Sequence, residues 1–194
     1  RPLQQKIEKI FQQPRKPLAL ILEAPMGEGK TEAALYAAFQ LAELWKKEGF
    51  YVALPTAATS NQMYERVNDM LMRLKLSRAK LMHSMAWLVN DKNMTYHGEE
   101  ASQAALWTEP MRLGLIAPFA VGTVDQVMMA ALRIKYGVLR LAGLTDKILI
   151  IDELHSYDAY MSEIIGTLLN WCRALQIPVV MLSATLPAEK KADY

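Results

Sequence analysis

The chain has 194 residues, 52% of them hydrophobic and 22% charged, with 22 Lys+Arg against 20 Asp+Glu for a net charge of +2. That balance describes one globular domain with a substantial core and excludes a mainly disordered chain. A near-neutral charge does not announce a nucleic-acid binder, so such a role has to rest on a local site. The single cysteine, Cys172, excludes an intrachain disulfide and a Cys-based zinc cluster and fits a reducing, cytoplasmic setting. No stretch approaches the roughly 18–20 uncharged apolar residues of a membrane span. The first residues, Arg1 to Lys6, hold no apolar secretory core, and no membrane partner is expected. With Arg rather than Met at position 1, the sequence reads as a piece of a longer chain.

Along the chain, short apolar runs alternate with amphipathic stretches. Leu18–Leu22 predicts a first strand that runs into a loop containing Pro and Gly. Thr31–Lys47 predicts a helix with Leu35, Ala38, Phe39, Ala42 and Trp45 on one side. Tyr51–Leu54 is a second strand, stopped by Pro55, and Asn61–Leu74 a second helix, with Met63, Val67, Met70, Leu71 and Leu74 at three- and four-residue spacings. Lys80–Met82 and Phe119–Val121 are weaker strand candidates, separated by a polar, aperiodic region at 91–110 that reads as a long loop with one short helix. Lys147–Ile151 is the clearest strand, Tyr160–Leu175 a third helix, and Val179–Leu182 the last strand. Apolar runs without alternation suit strands covered on both faces. The expected fold is therefore α/β, a three-layer α/β/α sandwich with a mainly parallel sheet.

Three segments carry chemistry, each at the carboxyl end of an expected strand, where open α/β sheets bind ligands. The first is Ala24-Pro25-Met26-Gly27-Glu28-Gly29-Lys30-Thr31, between a strand and a helix. Gly27 and Gly29 free the backbone to turn its amides toward phosphate, and the helix start adds unpaired N–H groups and a positive dipole end. Lys30 can reach the β- and γ-phosphates of a nucleotide, and the Thr31 hydroxyl can ligate Mg²⁺. Ala24 stands where the general pattern has Gly, which requires an ordinary negative φ there. The second segment is Ile151-Asp152-Glu153-Leu154-His155: Asp152 is placed for the Mg²⁺ shell and Glu153 to orient and polarise an attacking water. His155 can be a base, a coupling residue or a local hydrogen-bonder, and coupling fits best because Glu153 already fills the base position. The third is Ser183-Ala184-Thr185, whose hydroxyls can bond to the acidic segment and across a cleft, though Ser and Thr also cap helices.

In this order, Gly-Glu-Gly-Lys-Thr, Asp-Glu-Leu-His and Ser-Ala-Thr resemble motifs I, II and III of superfamily-two helicases. Ala120-Val121-Gly122-Thr123-Val124-Asp125-Gln126, Leu139-Arg140, Gly143-Leu144, Ile150 to Asp158 and Tyr160-Met161 narrow the resemblance to the CRISPR-associated helicase–nucleases of type I systems. The resemblance spans nearly the whole chain. It implies a RecA-like phosphate-loop NTPase domain, the first motor domain of an ATP- and Mg²⁺-dependent helicase that moves on single-stranded DNA in CRISPR interference. The implied nucleotide site is Gln4, Gly27, Glu28, Gly29, Lys30 and Thr31, with Gln4 as the adenine reader (Gln5 the fallback). Lys30, Asp152, Glu153 and His155 are the implied catalytic set, and Thr31 and Asp152 the metal pair. Pro55, Thr56, Asn61 and Gln62 resemble motif Ia, and Gly122, Thr123 and Gln126 motif Ib; both imply sequence-blind contacts with the strand. Ser183, Ala184 and Thr185 would couple domains. The implied partners are single-stranded DNA, the guide-RNA surveillance complex Cascade, a second RecA-like domain supplying arginines, and a nuclease domain with a His-Asp dipeptide. This sequence has no such dipeptide and stops nine residues after Thr185, so the nuclease and second motor domain are expected elsewhere. Two alternatives stay open: a DNA or RNA helicase outside CRISPR, and a module that binds nucleotide or DNA without turnover. The basic run Arg73, Lys75, Arg78 and Lys80 reads as a solvated helix end, the 12 Met as core filler, and Tyr157 and Tyr160 as either base-stacking or packing residues. His83 and His97 have no partner at metal-ligand spacing.

Overall fold

A computed structural model of the chain describes residues 2–12, 17–25, 27–82, 116–132 and 137–185. The expected loop at 91–110, Met26, His83, His97, Leu186 and Pro187 lie outside the described residues. In chain order the elements are α1 (Pro2–Phe11), β1 (Ala19–Glu23), α2 (Lys30–Trp45), β2 (Gly49–Leu54), α3 (Ala57–Arg73), β3 (Lys80–Met82), β4 (Phe119–Thr123), α4 (Val124–Ala131), α5 (Gly137–Leu144), β5 (Lys147–Ile151), a 3₁₀ turn at Leu154–Ser156, α6 (Ala159–Ala174) and β6 (Val179–Ser183).

The six strands form one sheet in the order β1-β6-β5-β2-β4-β3, and every pairing is parallel. Each residue of β2, β4, β5 and β6 is buried, which is why these segments read as unbroken apolar runs. Alternate residues of each strand feed two cores. Phe50, Val52, Ile148, Ile150 and Val180 pack under α1, α2 and α3 with Ile7, Leu41 and Val67. Tyr51, Ala53, Leu149, Ile151 and Met181 face the other way and pack under α4, α5 and α6 with Val127, Leu144 and Ile165. The three-layer α/β/α sandwich follows directly, since each helix has one face to bury and the sheet offers two.

Helix α3 starts four residues earlier than its apolar spacing predicts. Thr56 caps it: its side chain accepts from Thr59 N–H at 3.2 Å, and the Thr59 hydroxyl accepts from Thr56 N–H at 3.3 Å. Asn61 and Gln62 therefore sit in the second turn of the helix rather than at its start. Helix α2 ends two residues early, where Lys46 takes a left-handed conformation with φ 55°. The short helices α4 and α5 were not anticipated by periodicity. Glycine is required at Gly122, where a Cβ would meet the Met82 carbonyl oxygen at 2.1 Å and the Tyr51 hydroxyl at 2.4 Å. Arg73, Lys75, Arg78 and Lys80 are all exposed, as a solvated helix end requires.

Candidate functional site

Strand order brings the three segments together. Adjacent strands β1, β6 and β5 end at Glu23, Ser183 and Ile151, so the phosphate-type loop, the Ser-Ala-Thr segment and the acidic segment share one rim of the sheet. β2 and β4 continue that rim and carry Thr56 and Thr123 into the starts of α3 and α4.

In the loop, Gly27 has φ 84° and Gly29 φ 78°, the left-handed region that glycine enters without a steric cost. Ala24 has no positive φ, which is what a side chain there demands; its N–H donates to the Ser183 carbonyl oxygen at 3.3 Å, tying the loop to β6. Gly29 precedes the first turn of α2 with no side-chain cap, so the helix start keeps donors free for an anion. Lys30 is buried at 9% exposure, and its Nζ has no hydrogen-bond partner. A buried, unpartnered ammonium is costly, and phosphate oxygens would satisfy it. The residues present thus fit a nucleotide triphosphate. Glu28 is exposed and Thr31 partly buried beside them. Gln4 is partly buried in the first turn of α1, which is held on α2 by buried Ile7 and by the Tyr36 hydroxyl donating to Glu8 at 3.1 Å.

Asp152 is 8% exposed, and burial raises its pKa above the usual carboxylate range. The Glu153 N–H, donating to Asp152 Oδ1 at 2.8 Å, pulls it back, the Glu153 charge pushes it up again, and the charges of Lys30 and Arg66 lower it. Such a carboxylate gains from a cation beside it, although among the described residues no group of three or more His, Cys, Asp or Glu is gathered to hold a metal ion. Glu153 is left-handed at φ 52°, uncommon for a residue with a side chain and a mark of local strain at functional turns. His155 Nε2 lies 3.1 Å from Glu153 Oε2, close enough for electrostatic pairing but out of line for a hydrogen bond. On its other side Nδ1 is 3.3 Å from Ser183 Oγ and accepts from Ala184 N–H at 3.4 Å. Ser183 also donates to the Thr185 carbonyl oxygen at 2.9 Å. His155 therefore lies between the acidic and Ser-Ala-Thr segments, within reach of both.

The remaining expected residues divide. Pro55 is partly buried and Thr56 exposed; the Thr56 hydroxyl is engaged in the cap of α3. Asn61 is partly buried and Gln62 exposed on the same helix. Gly122 and Thr123 are buried strand residues at the rim, and Gln126 is buried at 7% exposure with its amide oxygen engaged by Arg140. Tyr157 packs in the core and donates to the Asp152 carbonyl oxygen at 3.0 Å, whereas Tyr160 is 71% exposed. Three residues near the site were given no role by the sequence. Arg66 on α3 pairs with Glu32 in the first turn of α2 at 2.6 Å. Tyr51 and Arg140 hold the start of α4. Only the polar tip of Tyr51 inside an apolar strand hints at such a bond.

Known proteins share this fold and part of this sequence. Residues 1–193 match the family model of the DEAD/DEAH box helicases. The CRISPR-associated endonuclease/helicase Cas3 of Thermus thermophilus is 37% identical over 206 residues, covering 97% of this chain and 22% of that protein. A crystal structure of T. fusca Cas3 with AMPPNP superposes with TM-score 0.84 at 39% identity, over 98% of this chain and 21% of that one. A chain of a pre-nicking CRISPR RNA-guided surveillance complex gives TM-score 0.69 at 35% identity, over 98% of this chain and 19% of that one. The chain thus spans about a fifth of the length of these relatives, and its RecA-like fold is theirs. Matched by the family model across nearly its whole length, the chain belongs to the DEAD/DEAH box helicase family, and its likeness within that family is to Cas3 proteins.

Proposed function

We propose that residues 1–194 are the first RecA-like motor domain of a CRISPR-associated helicase, which binds and hydrolyses ATP to translocate on single-stranded DNA. The observation that carries the reading is the buried, unpartnered Nζ of Lys30 at the start of α2, beneath a loop whose two glycines are left-handed. The AMPPNP held by the T. fusca relative supports the choice of nucleotide. In this reading the loop amides and Lys30 cradle the phosphates, and Gln4 reads the adenine edge. Thr31 and Asp152 would hold Mg²⁺, which supplies charge neutralisation for the transferring phosphoryl group. Glu153 orients and polarises the attacking water. His155 relates the position of Glu153 to that of Ser183 and Ala184, so hydrolysis and domain movement act on one another through a single side chain.

The far side of the same rim serves the strand. The first turns of α3 and α4, at Thr56 and Thr123, offer sequence-blind contacts to phosphates. In the whole protein a second motor domain supplies the arginine for the transition state, and a nuclease and the surveillance complex Cascade act with it; the likeness to a chain of such a complex supports that partner. The test is Lys30→Ala in the full-length protein, measured by fluorescent ATP-analogue binding and DNA-stimulated phosphate release. Loss of both is expected. Unchanged nucleotide affinity would remove the loop from the site.

A further inference from the structure

Gln126 reads from the sequence as a strand-contacting residue, yet it is only 7% exposed. Its Oε1 accepts from Arg140 Nη1 at 2.9 Å, and the same nitrogen reaches the Gln126 carbonyl oxygen at 3.4 Å. The fully buried Tyr51 donates to the Thr123 carbonyl oxygen at 3.2 Å. The first turn of α4 is thus gripped at Thr123 by β2 and at Gln126 by α5.

The sign of the charge matters. A cation beside the first turn of a helix opposes the helix dipole, which is positive there, so the charge of Arg140 adds nothing to α4 beyond its hydrogen bonds to Gln126. It is also half-buried, which disfavours its charged form. Asp125 in the same turn is exposed, and its charge and that of Arg140 both act on Tyr51. The Thr123 side chain makes no cap bond, so the amides of this turn keep their donors for an outside acceptor. An anion at the turn would be favoured by the dipole and the guanidinium together.

We propose that Arg140 is a positioning residue for single-strand binding: it fixes Gln126, and through it the first turn of α4, so that the Gly122–Thr123 corner meets the strand's phosphates. Gln126 is then a strut and not a DNA contact. This rests on the DNA-binding reading above.

The experiment uses the full-length protein and measures anisotropy of a labelled oligo-dT strand, nucleotide affinity, and the DNA concentration giving half-maximal ATPase stimulation. Arg140→Ala and Gln126→Ala should each weaken DNA binding by about tenfold, the low end of what a charge-assisted hydrogen bond supplies. Nucleotide affinity and maximal rate should hold, and the double variant should be no worse than either single one. Gln126→Glu is the discriminating change. It keeps the acceptor and pairs with Arg140, so binding should stay within about threefold of the parent. A glutamate facing DNA phosphates would repel them instead. Loss in Gln126→Glu as deep as in Gln126→Ala, additive single effects, or an Arg140→Ala protein that binds normally would each overturn the proposal. If Arg140→Ala fails to fold, the two Gln126 variants decide alone. A parent protein that binds no strand would defeat the functional reading itself, a result distinct from all of these.

Discussion

Gly122→Ala separates two reasons for a glycine at the rim of β4. If the glycine exists so that a strand phosphate can approach, alanine should harm DNA binding and leave stability alone. The geometry gives the other answer. The new Cβ would lie 2.1 Å from the Met82 carbonyl oxygen, 2.4 Å from the Tyr51 hydroxyl and 2.8 Å from Met82 Cβ, where ordinary contact begins at 3.4 Å. The Tyr51 ring is sealed in the core, and Met82 is held opposite Gly122 by the β3–β4 register. Neither neighbour is the loose end of a flexible side chain, so the cost belongs at the upper end of overpacking, about 3 kcal/mol. Displacing Tyr51 from the Thr123 carbonyl adds about 1 kcal/mol. For a domain of this size each kcal/mol moves the melting temperature by about 2–4 °C, so a fall of about 8–16 °C is expected. Thermal and urea denaturation of ligand-free protein measure it. Tyr51→Phe in the same background should recover only part of the loss, because the Met82 carbonyl remains. A Gly122→Ala protein melting within about 2 °C of the parent, less than 1 kcal/mol, would refute the packing argument and return the glycine to the strand.

Glu153→Gln should keep nucleotide affinity while turnover falls about 100- to 10,000-fold, since an amide can bond a water but not take its proton; calorimetric binding beside steady-state hydrolysis checks both halves. Asp152→Asn should raise the melting temperature of ligand-free protein at neutral pH. Burial raises the Asp152 pKa, so its proton is bound more tightly folded than unfolded; that stability is present at acid pH and lost as pH rises through the raised value, and asparagine removes the loss. Melting curves from acid to neutral pH should accordingly be flatter for the variant, and its stabilisation by nucleotide and Mg²⁺ weaker. Gln4→Ala should narrow the preference for ATP over GTP without abolishing hydrolysis at saturating ATP, read from paired kinetics with the two nucleotides.

Sequence legibility followed the range of the interaction. β2, β5 and β6 were readable because burial on both faces leaves almost only apolar side chains, with Lys147 and Ser183 at strand ends, a one-dimensional signal. The phosphate-type loop was readable because backbone geometry forces glycine at 27 and 29, and φ there is indeed positive. The start of α3 carried its own signal in Thr56 and Thr59, a capping box outside the apolar spacing. Contacts between distant segments left no trace. Arg140 reaches Gln126 across 14 positions, Arg66 reaches Glu32 across 34, and Tyr51 reaches Thr123 across 72. Gln126 read as a strand contact because its segment resembles motif Ib, and that resemblance carries no word of the half-buried Arg140 that its amide oxygen meets.

The pairing of β1 with β6 has a consequence for how the chain emerges during synthesis. Val179 sits beside Ala19, and the Ala24 amide bonds the Ser183 carbonyl, so the loop at the end of β1 is braced by a segment about 160 positions later. Within the described residues β6 is the only neighbour β1 has. At about 5–20 residues per second, a ribosome spends about 8–32 s between the two. During that interval β2, β4 and β5 can pair with one another while β1 has no strand beside it. The loop after β1 therefore gains this brace last, with the strand that also carries Ser183.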